Sequence, residues 1–178
     1  MKIKKNIKTL AKKIKLIAMD IDGVLTGGEI IVLDSGKELK IWNVKDGFGF
    51  HLAKLSGAGI KLAWITGGQS EQIENRAKML EIDFLYQGCF RKKEAISEIA
   101  NKLNISPEET LFIGDDLLDV PAFRYAGFSI CPKDAPQEVK KEVDYISEIP
   151  GGKGVVREVV EIVLKSRGLW DKATEPYL

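Results

Sequence analysis

The stretch KLIAMDIDGVLTGG, residues 15–28, decides how the rest of the chain is read. An apolar run ends in Asp20 and Asp22, one residue apart, and passes into glycines. A short apolar run of this kind reads as a buried strand, and carboxylates beside one are costly unless their charge is used. If strand geometry persists to residue 22, Asp20 and Asp22 share a face, because alternate residues of a strand point the same way. Two carboxylates turned to one pocket repel, and a bound cation answers that repulsion.

Outward from this stretch, short apolar runs alternate with amphipathic ones. KLIAMDI (15–21), IKLAWIT (60–66), FLYQG (84–88), TLFIGDD (110–116), FSICP (128–132) and the weaker DYISE (144–148) read as strands. Between them GFGFHLAKLSGAG, SEQIENRAKMLEI, KEAISEIANKLNI, DVPAFRYAG and APQEVKKEV read as helices, several closed by glycine. Strand and helix alternating at this period predict an α/β fold, a Rossmann-like parallel sheet with helices on both faces. One segment breaks the rhythm. Residues 29–44, EIIVLDSGKELKIWNV, carry a DSG turn signal between two strand-like halves and predict a hairpin inserted between the first strand and the first helix.

Composition bounds the remaining possibilities. The 178 residues are 44% hydrophobic and carry a net charge of +1, which predicts one domain over 1–178 and excludes the basic stripe of a nucleic-acid binder. The one charge asymmetry is MKIKKNIKTLAKKIK, with seven lysines and no acid before Leu16. Its Ile3, Ile7, Leu10 and Ile14 fall at helical spacing, so it reads either as a helix docked on its own domain or a sister subunit, or as a basic amphipathic helix on an anionic membrane. Neither a secretory leader nor a membrane span is expected from its apolar runs. Cys89 and Cys131 lack metal or redox spacing and read as reduced thiols of a cytoplasmic protein.

Ligands of open parallel sheets bind at the carboxyl ends of the strands, near a topological switch point. Asp20 and Asp22 leave the first strand, Thr66 and Gly67 the second, Lys92 follows FLYQG, and Asp115, Asp116 and Asp119 follow LFIG. Oxygen-only ligands such as Asp20, Asp22 and Asp115 suit Mg²⁺, which also retains waters and a substrate phosphate. A carboxylate there can attack phosphorus while a second protonates the leaving alcohol and later activates water. A metal, a lysine and a hydroxyl would neutralise the transferring oxygens. Singly, each motif has a duller explanation: a chance DxD, an ordinary TGG turn, a solvated lysine in RKK, or GDD capping the helix that follows. Together, at one sheet edge, they read as a site.

DIDGVLT, the ITG turn, the following lysine and GDDLLD resemble the four motifs of the haloacid dehalogenase superfamily of phosphohydrolases. WNVKDG (42–47), LYQG (85–88), GDDLLDVP (114–121) and GGKGVVREV (151–159) are similar, more closely, to the 3-deoxy-D-manno-octulosonate 8-phosphate phosphatases, over about residues 14–165. The resemblance implies Asp20 as nucleophile, Asp22 as general acid and base, and Thr66 and Lys92 as holders of the phosphoryl oxygens. It implies Mg²⁺ on Asp20, the Asp22 carbonyl and Asp115, with Asp116 and Asp119 orienting that shell. Substrate contacts are expected from Asp22, Gly23, Asn43, Asp46, Thr66, Gly67, Arg76 and Lys92, and the product would feed lipopolysaccharide assembly.

Spacing leaves no room for a cap domain: 43 residues separate Asp22 from Thr66 and 25 separate Thr66 from Lys92. The family's answer to an open site is a homotetramer, so the hairpin is expected at the subunit contact. A neighbour's C-terminal tail, about 168–178, would then close the entrance; a frayed terminus is the other reading of RGLWDKATEPYL, whose Trp and Tyr have little predicted core to join. The family commonly has Arg directly after TG, where this chain has Gly68, and an Arg fork suits a substrate carboxylate. Arg76, Arg91, Lys45 and Lys153 are the candidates to compensate. The alternatives are a nonulosonate 9-phosphate phosphatase, a broader sugar phosphatase, a phospho-receiver signalling domain and a catalytically silent assembly subunit. His51, the single histidine, reads as structural.

Overall fold

The computed structural model describes residues 6–178. Its centre is a six-stranded parallel sheet of β1 (Leu16–Met19), β4 (Lys61–Ile65), β5 (Phe84–Tyr86), β6 (Thr110–Ile113), β7 (Phe128–Cys131) and β8 (Tyr145–Ile146), ordered β5-β4-β1-β6-β7-β8. The chain builds outward from β1 through β4 to β5, then crosses back to place β6 on the other flank of β1. That reversal makes the carboxyl end of β1 the switch point at which α/β sheets bind ligands.

Strand alternation divides the core into two layers. Ile17, Met19, Leu62, Trp64, Leu111, Ile113, Phe128 and Ile130 face one layer, covered by α2 (Val44–Leu55), α3 (Glu71–Met79) and α7 (Val155–Ser166). Leu16, Ala18, Ala63, Ile65, Phe112 and Cys131 face the other, covered by α4 (Lys92–Leu103), α5 (Val120–Tyr125) and α6 (Gln137–Lys140). Because both faces are buried, β1, β6 and β7 are apolar or small at nearly every position, as the unbroken runs in the sequence require. Each fully buried Leu or Phe side chain in these layers contributes roughly 1.5–3 kcal/mol.

The predicted strands are all present but shorter. β1 stops at Met19 because the chain turns at once: the amides of Val24, Leu25 and Thr26 all converge on the Ile21 carbonyl at 3.2, 2.8 and 3.2 Å. Thus Asp20 and Asp22 are presented by a turn, not by an extended strand. Helix α2 begins earlier than GFGF suggested, capped by the Asn43 side chain accepting from the Lys45 amide at 2.9 Å. Helix α7 is absent from the helices predicted above, yet Val155, Val156, Val159, Val160, Val163 and Leu164 are fully buried at helical spacing. Its apolar period was present in GVVREVVEIVLKS and is the signal that reading passed over.

The inserted hairpin pairs β2 (Ile31–Val32) with β3 (Glu38–Leu39) in a separate antiparallel sheet. Gly36, at φ +77°, makes its turn, and the Leu33 amide closes on the Lys37 carbonyl at 2.9 Å. At the hairpin's base Trp42 stacks on Trp64, with centroids 5.5 Å apart and planes 11° from parallel. The hairpin, α2 and β4 fill the segment between Asp22 and Thr66, so no cap domain occupies it among the described residues.

The two ends of the chain dock on the core. Helix α1 (Ile7–Ala11) and Ile14 pack their apolar side into the layer containing α7, while Ile3 of the lysine-rich stretch lies outside the described residues. The expectation that the tail finds little core is corrected: α8 (Trp170–Thr174) buries Ala173 and packs Trp170 against the main layer. Tyr177 meets the Phe48 ring edge-on at 5.1 Å and its hydroxyl bonds His51 Nε2 at 2.9 Å, which gives the single histidine a structural partner. No helix among the described residues is long and apolar enough to cross a membrane.

Candidate active site

The four motif segments meet at the carboxyl edge of the sheet. Asp20 sits one residue past β1, its amide still bonded to the Ile113 carbonyl at 2.9 Å, so the backbone of two central strands fixes its position. Its Oδ1 accepts from the Ile21 amide at 2.7 Å and its Oδ2 meets Lys92 Nζ at 2.6 Å. Lys92 opens α4, is 4% exposed, and bonds Asp119 Oδ1 at 2.6 Å with the same ammonium. A buried ammonium held between two carboxylates satisfies all three groups, where any one alone would be costly.

Asp119 ends the turn Leu117–Asp119 and is fully buried. Its Oδ2 accepts the amides of Asp115 at 2.8 Å and Asp116 at 3.2 Å, so this side chain moulds the loop after β6. Gly114 is required beneath it, since a Cβ there would fall 2.3 Å from the Asp119 carboxyl carbon. Asp115 lies against Gly23, where a Cβ would come within 2.0 Å of Asp115 Oδ2. One carboxylate oxygen from each of Asp20, Asp115 and Asp119 falls within 4.8 Å of the others. This hard, all-oxygen donor set fits Mg²⁺. Asp119 is fully buried with its oxygens on Lys92 and the loop amides, whereas Asp20 and Asp115 are only partly buried, so these two are the side chains open to an ion.

Electrostatics follow from that crowding. Burial pushes the Asp20 carboxyl up to about 6, against the lowering pull of Lys92. Burial, reinforced by Asp119 and Asp20, pushes Asp115 up to about 7. Burial pulls Lys92 down, but Asp119 and Asp20 together outweigh it and hold its ammonium above the ordinary lysine value. The site therefore carries more negative charge than its lysine neutralises, the condition under which a divalent cation binds.

Thr66 follows β4, is buried, and accepts the Gly68 amide on its hydroxyl at 3.0 Å. At Gly67 a Cβ would stand 2.8 Å from the exposed Phe90 ring, so a side chain there would have to push that ring aside. A Cβ on Gly68 would stand 3.4 Å from Asp22 Oδ2 and 3.5 Å from Thr66 Oγ1, so that position opens directly beside Asp22. Between this loop and the hairpin lies a cavity of about 580 Å³ lined by Lys37, Gly68, Gln69, Ser70 and Gln72 among others.

The loop before α7 closes the back of the site. The Gly152 amide bonds the Val24 carbonyl at 2.9 Å, and a Cβ on Gly151 would overlap the Gly23 carbonyl at 2.0 Å. Asn43 supports this loop, its side-chain amide donating to the Gly152 carbonyl at 3.1 Å. Asp46 turns away from the other acids. It is buried and receives the Arg157 amide at 3.1 Å, capping α7, and burial pushes its carboxyl up to about 6. Arg76 donates to Met79 Sδ and lies over Gly47; it lines a small cavity of about 10 Å³ with Asp46 and Trp64. Lys45 and Lys153 line a separate cavity with Arg157 and Glu158, and Arg91 is exposed before α4.

Comparison with known proteins places the chain in a family. Residues 73–159 match the model of the haloacid dehalogenase-like hydrolases. The chain is 40% identical to the 3-deoxy-D-manno-octulosonate 8-phosphate phosphatase KdsC of Salmonella typhi over 94% of this chain and 88% of that one. The chain belongs to this phosphatase family. A crystal structure of the Moraxella catarrhalis family member, in complex with magnesium ion, phosphate ion and KDO, superposes with a TM-score of 0.92 at 40% identity, covering 97% of this chain and 98% of that one. The cobalt-bound family member from Haemophilus influenzae superposes with a TM-score of 0.84 at 34% identity, over 89% and 92% of the two chains.

Within this family frame, the sequence reading did not identify one side chain that touches the site. Lys40, just past β3, forms an ion pair from the hairpin to Asp22 Oδ1. No motif announces it, because the contact joins a lysine to an acid 18 residues earlier through a fold of the hairpin.

Proposed function

We propose that the chain is a Mg²⁺-dependent phosphomonoesterase that hydrolyses 3-deoxy-D-manno-octulosonate 8-phosphate to the free sugar acid and phosphate. The observation that carries this reading is the buried Lys92 ammonium fixed between Asp20 and Asp119, beside Asp115 and at the switch point, in a chain of this family. Asp20 attacks phosphorus; as its Oδ–P bond forms, the bond to the sugar oxygen breaks, and that oxygen takes a proton from Asp22. In the second half Asp22 takes a proton from water as the water oxygen bonds to phosphorus and phosphate leaves Asp20. Lys92, the Thr66 hydroxyl and the backbone at Gly67 hold the phosphoryl oxygens. Asp20, the Asp22 carbonyl and Asp115 would hold Mg²⁺, which would supply charge neutralisation at the transferring group. Gly23 and Asn43 keep the loops around the substrate in register, and Asp46 acts at one remove through α7.

We assign the whole chain, 1–178, to one hydrolase domain that works in the cytoplasm as a homotetramer and feeds lipopolysaccharide assembly. Support for assembly is the apolar surface around an uncapped site: Ile30, Val32, Ile41 and Val44 on or beside the hairpin, and Phe90, Leu117 and Leu118 on the sheet's carboxyl edge, are all exposed. Isolated apolar residues on a surface are ordinary, but a cluster rimming an open cleft marks an interface. A neighbouring subunit completes the substrate pocket there. The nonulosonate and phospho-receiver alternatives are not favoured by a chain that is 40% identical, over 94% of its length, to an octulosonate phosphatase.

The test is phosphate release with Mg²⁺ from 3-deoxy-D-manno-octulosonate 8-phosphate, a nonulosonate 9-phosphate, hexose phosphates and p-nitrophenyl phosphate. A strong preference for the octulosonate is expected, abolished in Asp20→Asn. Even, weak turnover across the panel would remove the substrate assignment, and retained turnover in Asp20→Asn would remove the nucleophile.

A further inference from the structure

Among the described residues the Lys40–Asp22 pair has the least exposed cation of any ion pair outside the acid edge. Lys78–Glu74 and Lys165–Glu161 link residues four apart on one helix, with lysines more than half exposed, and such solvated pairs contribute little. Lys40 instead spans from the hairpin to the loop after β1, and only 12% of its side chain is exposed, against 44% for Asp22. Among the described residues the other side-chain hydrogen bond of Asp22 is with the Thr26 hydroxyl, at the long distance of 3.5 Å. Lys40 itself is anchored. Its amide donates to Gln72 Oε1 at 3.1 Å, and Gln72 Nε2 donates to the Glu38 carbonyl at 2.8 Å, so α3 grips both sides of β3.

We propose that Lys40 is a positioning residue for Asp22, and that Gln72 and the hairpin set its reach, so that the hairpin takes part in the proton-transfer step. The proposal rests on the phosphatase reading above. The chemical reason is geometric. Asp22 must deliver its proton along the line of the breaking bond to the sugar oxygen, and a half-exposed carboxylate presented by a turn samples rotamers that miss that line. An ammonium held on Oδ1 by a buried stem restricts it and leaves Oδ2, the oxygen beside Gly68, to carry the proton. Because the anchor comes from the hairpin, a segment with almost no core of its own, proton transfer is coupled to whatever holds the hairpin in place.

The experiment compares two esters in one set of proteins. The sugar phosphate leaves as an alkoxide and needs its proton; p-nitrophenyl phosphate leaves as a stabilised phenolate and needs it far less. Lys40→Met is expected to lower kcat on the sugar phosphate about tenfold or more, with a clearly smaller loss on p-nitrophenyl phosphate. Lys40→Arg should recover most of the loss. Gln72→Ala should shift the two esters in the same unequal way, and the Lys40→Met/Gln72→Ala double variant should be no worse than Lys40→Met alone, as members of one chain of contacts require. Equal losses on both esters, a change confined to KM, or unchanged kcat on the sugar phosphate would each overturn the proposal. If Lys40→Met does not fold, Gln72→Ala and Lys40→Arg carry the same comparison. Wild-type protein inactive on both esters would overturn the phosphatase reading itself, whereas active wild type with an unaffected Lys40→Met overturns only the role of Lys40.

Discussion

The acid edge and the hairpin both meet the loop that carries Asp22 and are built on opposite principles. At the acid edge, Asp20, Lys92 and Asp119 hang from central strands and helix starts, are largely buried, and are each bonded to a specific partner. The hairpin has two-residue strands, mostly exposed apolar side chains, and is tied down mainly by the Trp42–Trp64 stack, Gln72 and Lys40. Backbone hydrogen bonds of the sheet hold the first set of groups in place, and the hairpin has only a few contacts to hold the second, so the role proposed above for the hairpin falls on the less constrained of the two regions.

The largest effect is expected from cutting into the rigid side. Asp119→Ala leaves Lys92 with Asp20 alone and orphans the amides of Asp115 and Asp116. The cost should be about 3 kcal/mol or more, about 6–12 °C in melting temperature for a chain of this size. Phosphate release should fall at least about a hundredfold with it. A melting curve that hardly moves would mean that the acid edge is no more rigid than the hairpin, and the contrast would collapse.

Next in size is the response to Mg²⁺ and pH. In the metal-free fold Asp20 titrates near 6 and Asp115 near 7, above the ordinary aspartate value of 3.8. Each therefore holds a proton that the unfolded chain has already lost, and this contribution to stability is complete below about 3.8 and disappears as pH rises through 6 to 7. Mg²⁺ needs the ionised forms. The gain in melting temperature on adding millimolar Mg²⁺ should be large near about pH 8 and small near about pH 5.5. Asp46, also raised to about 6, titrates with and without metal and drops out of that difference. A gain independent of pH would detach the metal from Asp20 and Asp115.

The smallest effect on folding, and the sharpest on assembly, belongs to the hairpin. Val32→Asp combined with Ile41→Asp changes two exposed residues, so the melting temperature of the subunit should shift by no more than a few degrees. Light scattering should nevertheless show a smaller particle than the parent chain forms, as the proposed tetramer requires, and turnover of the octulosonate should fall more than turnover of p-nitrophenyl phosphate. An unchanged mass in solution would assign the exposed apolar rim to something other than a second copy of the chain.

Much of this was legible in the residues alone. The apolar runs ending in Asp20, Thr66 and Asp115 announced strands whose carboxyl ends converge, because a strand buried on both faces leaves an unmistakable run and a parallel sheet aligns all its carboxyl ends on one edge. The hairpin was legible from its DSG turn, and the shortage of residues between Asp22 and Thr66 excluded a cap by arithmetic. Helix α7 was legible too, in the spacing of its valines, but was not read.

Tertiary structure alone decided the rest. That Asp46 caps α7 instead of joining the acids, that Trp170 and Tyr177 fold back onto the core, and that Lys40 reaches Asp22 all depend on contacts between segments distant in sequence. The sequence determined which groups stand at the sheet edge, because local periodicity fixes strands and their ends. It did not determine which of those groups touch, because a side chain's partner is set by how loops and helices pack in three dimensions, and no local pattern encodes that distance.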